Sequence, residues 1–274
     1  MKLLNGTELA EFIQERQARQ VRALRQAMHV QPKLAIVVTI DDPTINVYTR
    51  MKKKYGADLL IDVDVHQVTQ DEAPELIKEL NEDPAVHGII VQLPLERSEE
   101  TDQLVALVTP EKDVDGLGKD AKFDPATPLA ILWLLAGYAV DFPGKKVLLV
   151  GRGKLVGAPL ERMLLASGVD VSVADRTTAD LKAETLQADI IITATGSPAI
   201  LTSDMIKQGA VVVDAGVAGE EGKTVGDVAP EVYERDDLTL TPVKGGVGPL
   251  TVCALMENVI TAAHRAAERA EQAA

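Results

Sequence analysis

Tyr48 and Lys52, in the run VYTRMKKK, stand four residues apart and share one face if the segment is helical. A phenol beside an amine can take part in its proton transfers, and a lysine drawn out of water can act as a base near neutral pH. With Arg50, Lys53 and Lys54, the same run also reads as a solvated basic face, or as a landing site for an anionic substrate. Gln92, in VQLPL, closes an apolar strand pattern, where α/β proteins place ligand groups. Its neutral amide can orient a lysine without adding charge, or simply satisfy loop backbone. Asp113 and Asp115, in PEKDVDG, are carboxylates able to accept a planar pair of donors from an amidine-like heterocycle edge. Turn or capping duty is the alternative, and no third hard ligand makes the pair a metal site.

A second chemistry is written in GRGKLVG, Gly151 to Gly157, between a strand pattern and a helical one. Gly151 permits a tight turn, Gly153 lets a pyrophosphate approach the backbone, and Gly157 permits close helix packing. The following helix offers unpaired N–H groups and a positive dipole to phosphate. Gly157-Ala158 replaces the Gly-Lys-Ser/Thr end that a nucleoside triphosphate needs. Asp175 ends the next strand pattern, 24 residues after Gly151, where a ribose-binding acid belongs. TPVKGGVGPLT, Thr241 to Thr251, is a loop able to close over a cofactor face with its amides, or a rigid turn. His29, His66, His87 and His264 form no triad or metal spacing.

Alternating strands and helices must position these groups. LAIVVTI (34–40) and GIIVQL (88–93) read as buried strands, and LLIDVDV (59–65), which alternates, as one nearer an edge. DEAPELIKELNE (71–82) is the clearest helix between them. The second half gives five strands: KKVLLVG (145–151), VDVSVAD (169–175), DIIITATG (189–196), GAVVVDAG (209–216) and LTLTPV (238–243). The alternation predicts an α/β fold with parallel sheets covered on both faces. The expected boundary lies in PATPLAILWLLAGYAVDFPGKK, with Thr127 as N-cap and Pro128 in the first helical position. A last helix is expected from about Pro249 to Ala270, returning to the first half. The 274 residues allow one large domain or two ordinary ones. A formal net charge of −14 argues against nucleic acid and anionic membrane as general partners. A single cysteine, Cys253, forms no internal disulfide and fits a reducing compartment. Neither a signal peptide nor a membrane span is evident, so a cytoplasmic protein is expected.

In this order the segments resemble the bifunctional methylenetetrahydrofolate dehydrogenase/cyclohydrolase family. The resemblance is carried by YTRMK (48–52), QLPL (92–95), KDVDG (112–116), GRGKLVGAP (151–159), GDV (226–228) and PVKGGVGPLT (242–251). It implies two α/β domains: a folate domain, 1–138 completed by helix 250–274, and a Rossmann-type NAD(P) domain, 139–249, with a cleft between them. It implies oxidation of 5,10-methylenetetrahydrofolate to the methenyl form, then hydrolysis to 10-formyltetrahydrofolate. By resemblance Lys52 handles the cyclohydrolase proton, Tyr48 lies against the pterin, Gln92 orients Lys52 and Asp115 binds the pterin edge. Leu93, Gly246 and Pro249 complete the folate set. The cofactor set comprises Gly151, Arg152, Gly153, Val156, Gly157, Asp175, Arg176, Thr195, Gly196 and Gly216. Tetrahydrofolate derivatives are the implied ligands, a homodimer the implied assembly, and no metal is called for.

Departures from the family pattern gather around the cofactor. Gly153 replaces the serine of G-R-S, and Asp175-Arg176-Thr177 stands where H-S-R is usual. Elsewhere Glu96, Ala126, Lys244 and Ile45 replace a proline, a cysteine, a proline and a serine. Asp175 favours NAD over NADP, while Arg152 and Arg176 leave a 2′-phosphate clamp open. Two other readings remain at this point: a dehydrogenase without the hydrolase step, and a non-catalytic NAD(P)-sensing regulator. Retention of Tyr48, Lys52, Gln92 and Asp115 argues against the sensor, which has no use for a proton-handling set.

Overall fold

The computed structural model describes residues 1–220 and 223–273, without the side chains of Thr44, 218–220, 223, 224 and 273. In chain order its elements are β1 (Lys2–Leu3), α1 (Gly6–Ala27), β2 (Lys33–Val38), α2 (Pro43–Leu59), β3 (Asp62–Gln67), α3 (Ala73–Glu82), β4 (Gly88–Val91) and α4 (Thr101–Val105). There follow α5 (Ala126–Gly137), β5 (Val147–Val150), α6 (Gly157–Ala166), β6 (Val171–Ala174), α7 (Leu181–Gln187), β7 (Ile190–Thr193) and β8 (Val211–Asp214). The hairpin β9 (Ala218–Glu220) and β10 (Lys223–Val225), then β11 (Thr239–Leu240) and α8 (Val247–Ala273), complete the chain.

The chain packs as two units. The first comprises Met1–Ala10 and Thr127–Thr251. Its six-stranded sheet runs β1-β11-β8-β7-β5-β6, with every pairing parallel. β5 and β7 are four-residue runs buried at every position, as strands covered on both faces must be. The order turns back on itself at β5, which pairs with β6 on one side and β7 on the other. Such a switch point is where open α/β sheets bind ligands, beyond the carboxyl ends of the strands.

The second unit comprises Glu11–Ala126 and Val252–Ala274. Its three parallel strands run β3-β2-β4. The central strand β2 is buried from Leu34 to Val38, whereas β3, alternating in exposure, is the edge strand its sequence pattern predicts. α3 lays Ala73, Ile77 and Leu80 into the core at helical spacing, and Pro74 occupies its first turn.

The packing differs from the expected division at each joint. Residues 1–10 belong with the first unit because Lys2 and Leu4 donate backbone hydrogen bonds to Leu238 and Leu240, both at 2.9 Å. α5 joins the same unit, the Cβ of a residue at Gly137 meeting Leu9 at 2.6 Å. The changeover at the far end falls after Thr251, and Ala274 lies outside the described residues. α5 begins at Ala126, so Thr127 is helical rather than the N-cap. α8 begins at Val247, so Val247 and Gly248, expected in the loop, already belong to the helix. The strand expected at 59–65 starts only at Asp62, because Leu59 still closes α2. Among the described residues no helix is long and apolar enough to cross a membrane.

Candidate active site and dinucleotide loop

In the second unit the proton-handling candidates converge. α2 starts where Asp42 Oδ1 accepts the Ile45 N–H at 3.1 Å, and Ile45 is buried. From that start the helix turns Lys52 inward while Arg50, Lys53 and Lys54 stay exposed. The basic run is thus both things its composition allowed, a solvated face with one inward member. Tyr55, one turn from Met51, anchors the helix: its hydroxyl reaches Gln17 Oε1 at 2.9 Å and Cys253 Sγ at 3.1 Å. Tyr48, four residues before Lys52, is half-buried.

Lys52 Nζ donates to Gln92 Oε1 at 2.7 Å, and Gln92 Nε2 donates to the Leu93 carbonyl at 2.9 Å. The second bond fixes which end of the amide faces the lysine. Gln92 itself follows β4 directly, its backbone N–H held by Val37 O at 2.9 Å. Burial drives the Lys52 amine below the ordinary lysine range, against the opposing pull of the Asp115 charge. Burial likewise pushes the Asp115 carboxyl up, with the Lys52 charge lowering it and Asp113 adding to the rise.

The two aspartates separate in role. Asp113 Oδ1 accepts the Gly116 N–H at 3.0 Å and its Oδ2 the Gly118 N–H at 2.7 Å, closing the loop on itself. Gly116 takes φ +69, and a Cβ there would meet Phe123 O at 2.6 Å, so the turn requires glycine. The loop docks on β4 through Ile89 N–H to Lys112 O at 2.8 Å. Asn258 of α8, absent from the sequence reading, donates Nδ2 to Val114 O at 2.8 Å and to Asp124 O at 2.9 Å. The available signal was one amide in the apolar stretch ALMENVI. Asp113 and Asn258 thereby hold Asp115 within electrostatic reach of Lys52.

In the first unit Gly151, Asp175, Thr195 and Gly216 each fall within two residues of the carboxyl ends of β5, β6, β7 and β8. Gly151 takes φ +100, and its missing Cβ would meet Ala194 O at 2.7 Å. A Cβ on Gly157 would lie 2.1 Å from Gly151 O, so α6 begins with its backbone against the turn. Val156 is the N-cap residue of α6. Gly153 has nothing within 4 Å of its Cβ position. This loop therefore offers an open backbone face at a helix start, and it fits a dinucleotide pyrophosphate.

Asp227, quoted in GDV without a role, accepts Thr195 N–H at 2.7 Å and Ser197 N–H at 3.0 Å, shaping the turn through Gly196. Asp214 in turn accepts the N–H groups of Gly216, Asp227 and Val228 at 2.9, 3.1 and 3.0 Å. Asp175 lies exposed, its Oδ1 accepting Thr177 N–H at 2.8 Å and Thr177 Oγ1 at 2.6 Å. Those bonds, with the nearby Arg152 charge, hold its carboxyl below the usual range. Arg152 is paired with Glu161, and Arg176 is exposed. Gly246 immediately precedes α8, and Pro249 sits in that helix's first turn.

Gly157→Ala is expected to destabilise the first unit by about 1–3 kcal/mol, since the added methyl meets backbone. It is also expected to raise KM for the dinucleotide. Thermal unfolding and cofactor titration check both, and wild-type values for each would contradict the tight approach of α6 to the turn.

Two family models match the chain one after the other, with bounds that differ from those of the packing units at the chain ends. Residues 4–115 match the tetrahydrofolate dehydrogenase/cyclohydrolase catalytic domain, and residues 125–267 match the NAD(P)-binding domain of the same family. The chain is 39% identical over 279 residues to the bifunctional protein FolD of Moorella thermoacetica, covering 96% of this chain and 99% of that one. The crystal structure of the bifunctional methylenetetrahydrofolate dehydrogenase/cyclohydrolase from Campylobacter jejuni superposes with TM-score 0.91 at 37% identity, covering 97% and 99%. The Trypanosoma brucei enzyme, solved with NADP cofactor and inhibitor, gives TM-score 0.89 at 29% identity, covering 96% and 97%. With both domain models matched along its length, the chain belongs to the tetrahydrofolate dehydrogenase/cyclohydrolase family.

Proposed function

We propose that the two reactions of this bifunctional dehydrogenase/cyclohydrolase divide between the dinucleotide loop of the first unit and the Lys52 cluster of the second. The observation that carries the reading is a desolvated lysine held at 2.7 Å by a neutral amide and within electrostatic reach of a carboxyl. In 5,10-methylenetetrahydrofolate the reacting carbon lies between two nitrogens, whose lone pairs stabilise the cation left when hydride departs. When bound, the nicotinamide dinucleotide supplies the hydride acceptor. Gly151, Gly153, Val156 and Gly157 would cradle its pyrophosphate, with Asp175 at the adenosine ribose. Thr195, Gly196 and Gly216 would line its course along the strand ends.

Hydrolysis of the methenyl cation is assigned to Lys52. Water attacks the bridging carbon, and the neutral amine takes the proton released as the C–O bond forms. As the carbon–N5 bond breaks, the ammonium returns a proton to N5, the hydroxyl loses its own to solvent, and 10-formyltetrahydrofolate results. Gln92 keeps Nζ aimed without charging it. Asp115 accepts the paired donors of the pterin, and Tyr48 and Leu93 line the ring.

The charge placement on this reading is testable through Gln92→Glu. A carboxylate 2.7 Å from Nζ favours the ammonium and raises the Lys52 pKa. Because the neutral form is the active one, the rising limb of the cyclohydrolase pH profile moves upward by about 1–2 units. Activity at pH 7 falls and recovers as pH rises; an unmoved profile in the folded variant would remove Gln92 from the mechanism.

NAD is the proposed cofactor, supported by the anionic Asp175 at the end of β6 and by the Arg152–Glu161 pair. Comparing kcat/KM for NAD and NADP tests it, with preference for NADP the contrary result. A homodimer is proposed from the family resemblance, and sedimentation equilibrium tests that.

A further inference from the structure

We infer that Glu161 is a specificity-determining residue: by holding Arg152 in an ion pair, it keeps the adenosine end of the cofactor site selective for a ribose hydroxyl over a 2′-phosphate. The inference rests on the dinucleotide reading of the first unit and deepens it. Arg152 follows the tight turn at Gly151, in the position from which a guanidinium can meet a 2′-phosphate. Its Nε lies 2.7 Å from Glu161 Oε2 and its Nη2 3.2 Å from Glu161 Oε1. Two parallel bonds of this kind fix a planar guanidinium in orientation as well as charge. The Glu161 side chain is only 18% exposed, against 59% for Arg152, so the carboxylate is the better-anchored partner. Glu161 stands in the second turn of α6, just behind the glycine loop.

The neighbouring strand adds the other half of the filter. β5 and β6 pair in register through Val150 and Ala174, and Gly151 N–H bonds Ala174 O at 2.8 Å. Arg152 and Asp175 therefore leave adjacent strand ends, and the arginine's charge is felt at Asp175. Asp175 is already oriented by its two bonds from Thr177. A ribose diol arriving here donates to Asp175. A phosphate dianion instead meets Asp175, and an arginine whose positive charge Glu161 has already balanced. Glu161 touches no cofactor atom on this view and acts through Arg152 as a positioning residue.

The test measures binding of 2′,5′-ADP and of 5′-ADP to the full chain by calorimetry, beside kcat/KM for NADP and NAD. In Glu161→Gln, a near-isosteric change, the affinity ratio of 2′,5′-ADP to 5′-ADP is expected to rise about ten-fold or more, as one anion leaves the patch. The kcat/KM ratio of NADP to NAD is expected to follow. The gain should vanish in Glu161→Gln combined with Arg152→Ala, because the freed guanidinium is its source. If Glu161→Gln fails to fold, Glu161→Ala on the same helix gives the same readout. An unchanged ratio in a folded variant, or a gain that survives loss of Arg152, overturns the inference. Wild-type preference for 2′,5′-ADP would overturn the NAD reading itself, whatever the variants do.

Discussion

Lys52→Met is expected to lose cyclohydrolase activity by about 10²–10⁴-fold, the range in which a positioned general base contributes. The side chain keeps its volume and packing but has no atom that can carry the proton. Methenyltetrahydrofolate should then accumulate, because hydride departure asks nothing of the Lys52 nitrogen. The fold should persist. Lys52 sits below its ordinary pKa, so between that lowered value and about 10.5 the unfolded chain binds the extra proton. Wild-type stability therefore gains from rising pH across that window, and the methionine variant should lack that component. Hydrolysis at the wild-type rate in a folded Lys52→Met protein would remove the lysine from the chemistry.

Asp115→Asn should weaken folate binding by about 1.5–3 kcal/mol, roughly ten- to hundred-fold, and cofactor binding far less. A carboxylate accepts two parallel donors, whereas an amide presents one acceptor and one donor, so half the pattern turns repulsive. The wild type has a pH signature as well. Burial pushes the Asp115 carboxyl above the usual range, and the form that accepts two donors is the ionised one. Folate affinity should therefore fall as pH drops through that raised value, and the asparagine variant should be flat there. Unchanged folate affinity with weakened cofactor binding would assign Asp115 to the other site.

How much of this was legible in the sequence depends on how local the cause is. The buried strands β5 and β7 were readable because a strand covered on both faces is apolar at every position. The turn at Gly151 was readable because its backbone demands are written within seven residues. β1 was missed: two residues carry no period, and its partner β11 lies more than 230 residues away. The inward turn of Lys52 was only half legible. Helical spacing pairs it with Tyr48, but which face of α2 points inward is decided by Tyr55, Gln17 and Cys253 from three separate helices.

Separation along the chain also hides Asn258 and Asp227 from a local sequence pattern. Asn258 reaches the KDVDG loop across 144 positions to Val114, and Asp227 shapes the Thr195 turn from 32 positions away. Glu161 is nearer, nine residues after Arg152. Its acid still looks like any helix-surface glutamate until the two side chains are seen paired. The departures at Gly153 and Asp175 did mark the region where the chain differs from its family pattern, and the unlooked-for Arg152–Glu161 pair lies there too.

The most direct test follows the two products separately when wild type and Lys52→Met are given 5,10-methylenetetrahydrofolate and NAD. Wild type is expected to form NADH and 10-formyltetrahydrofolate in step, with little methenyl compound standing. Lys52→Met should form NADH while the methenyl compound accumulates to nearly the same amount. A variant that clears the methenyl compound as wild type does, or a wild-type protein that forms no reduced dinucleotide with either NAD or NADP, would contradict the division of labour drawn here.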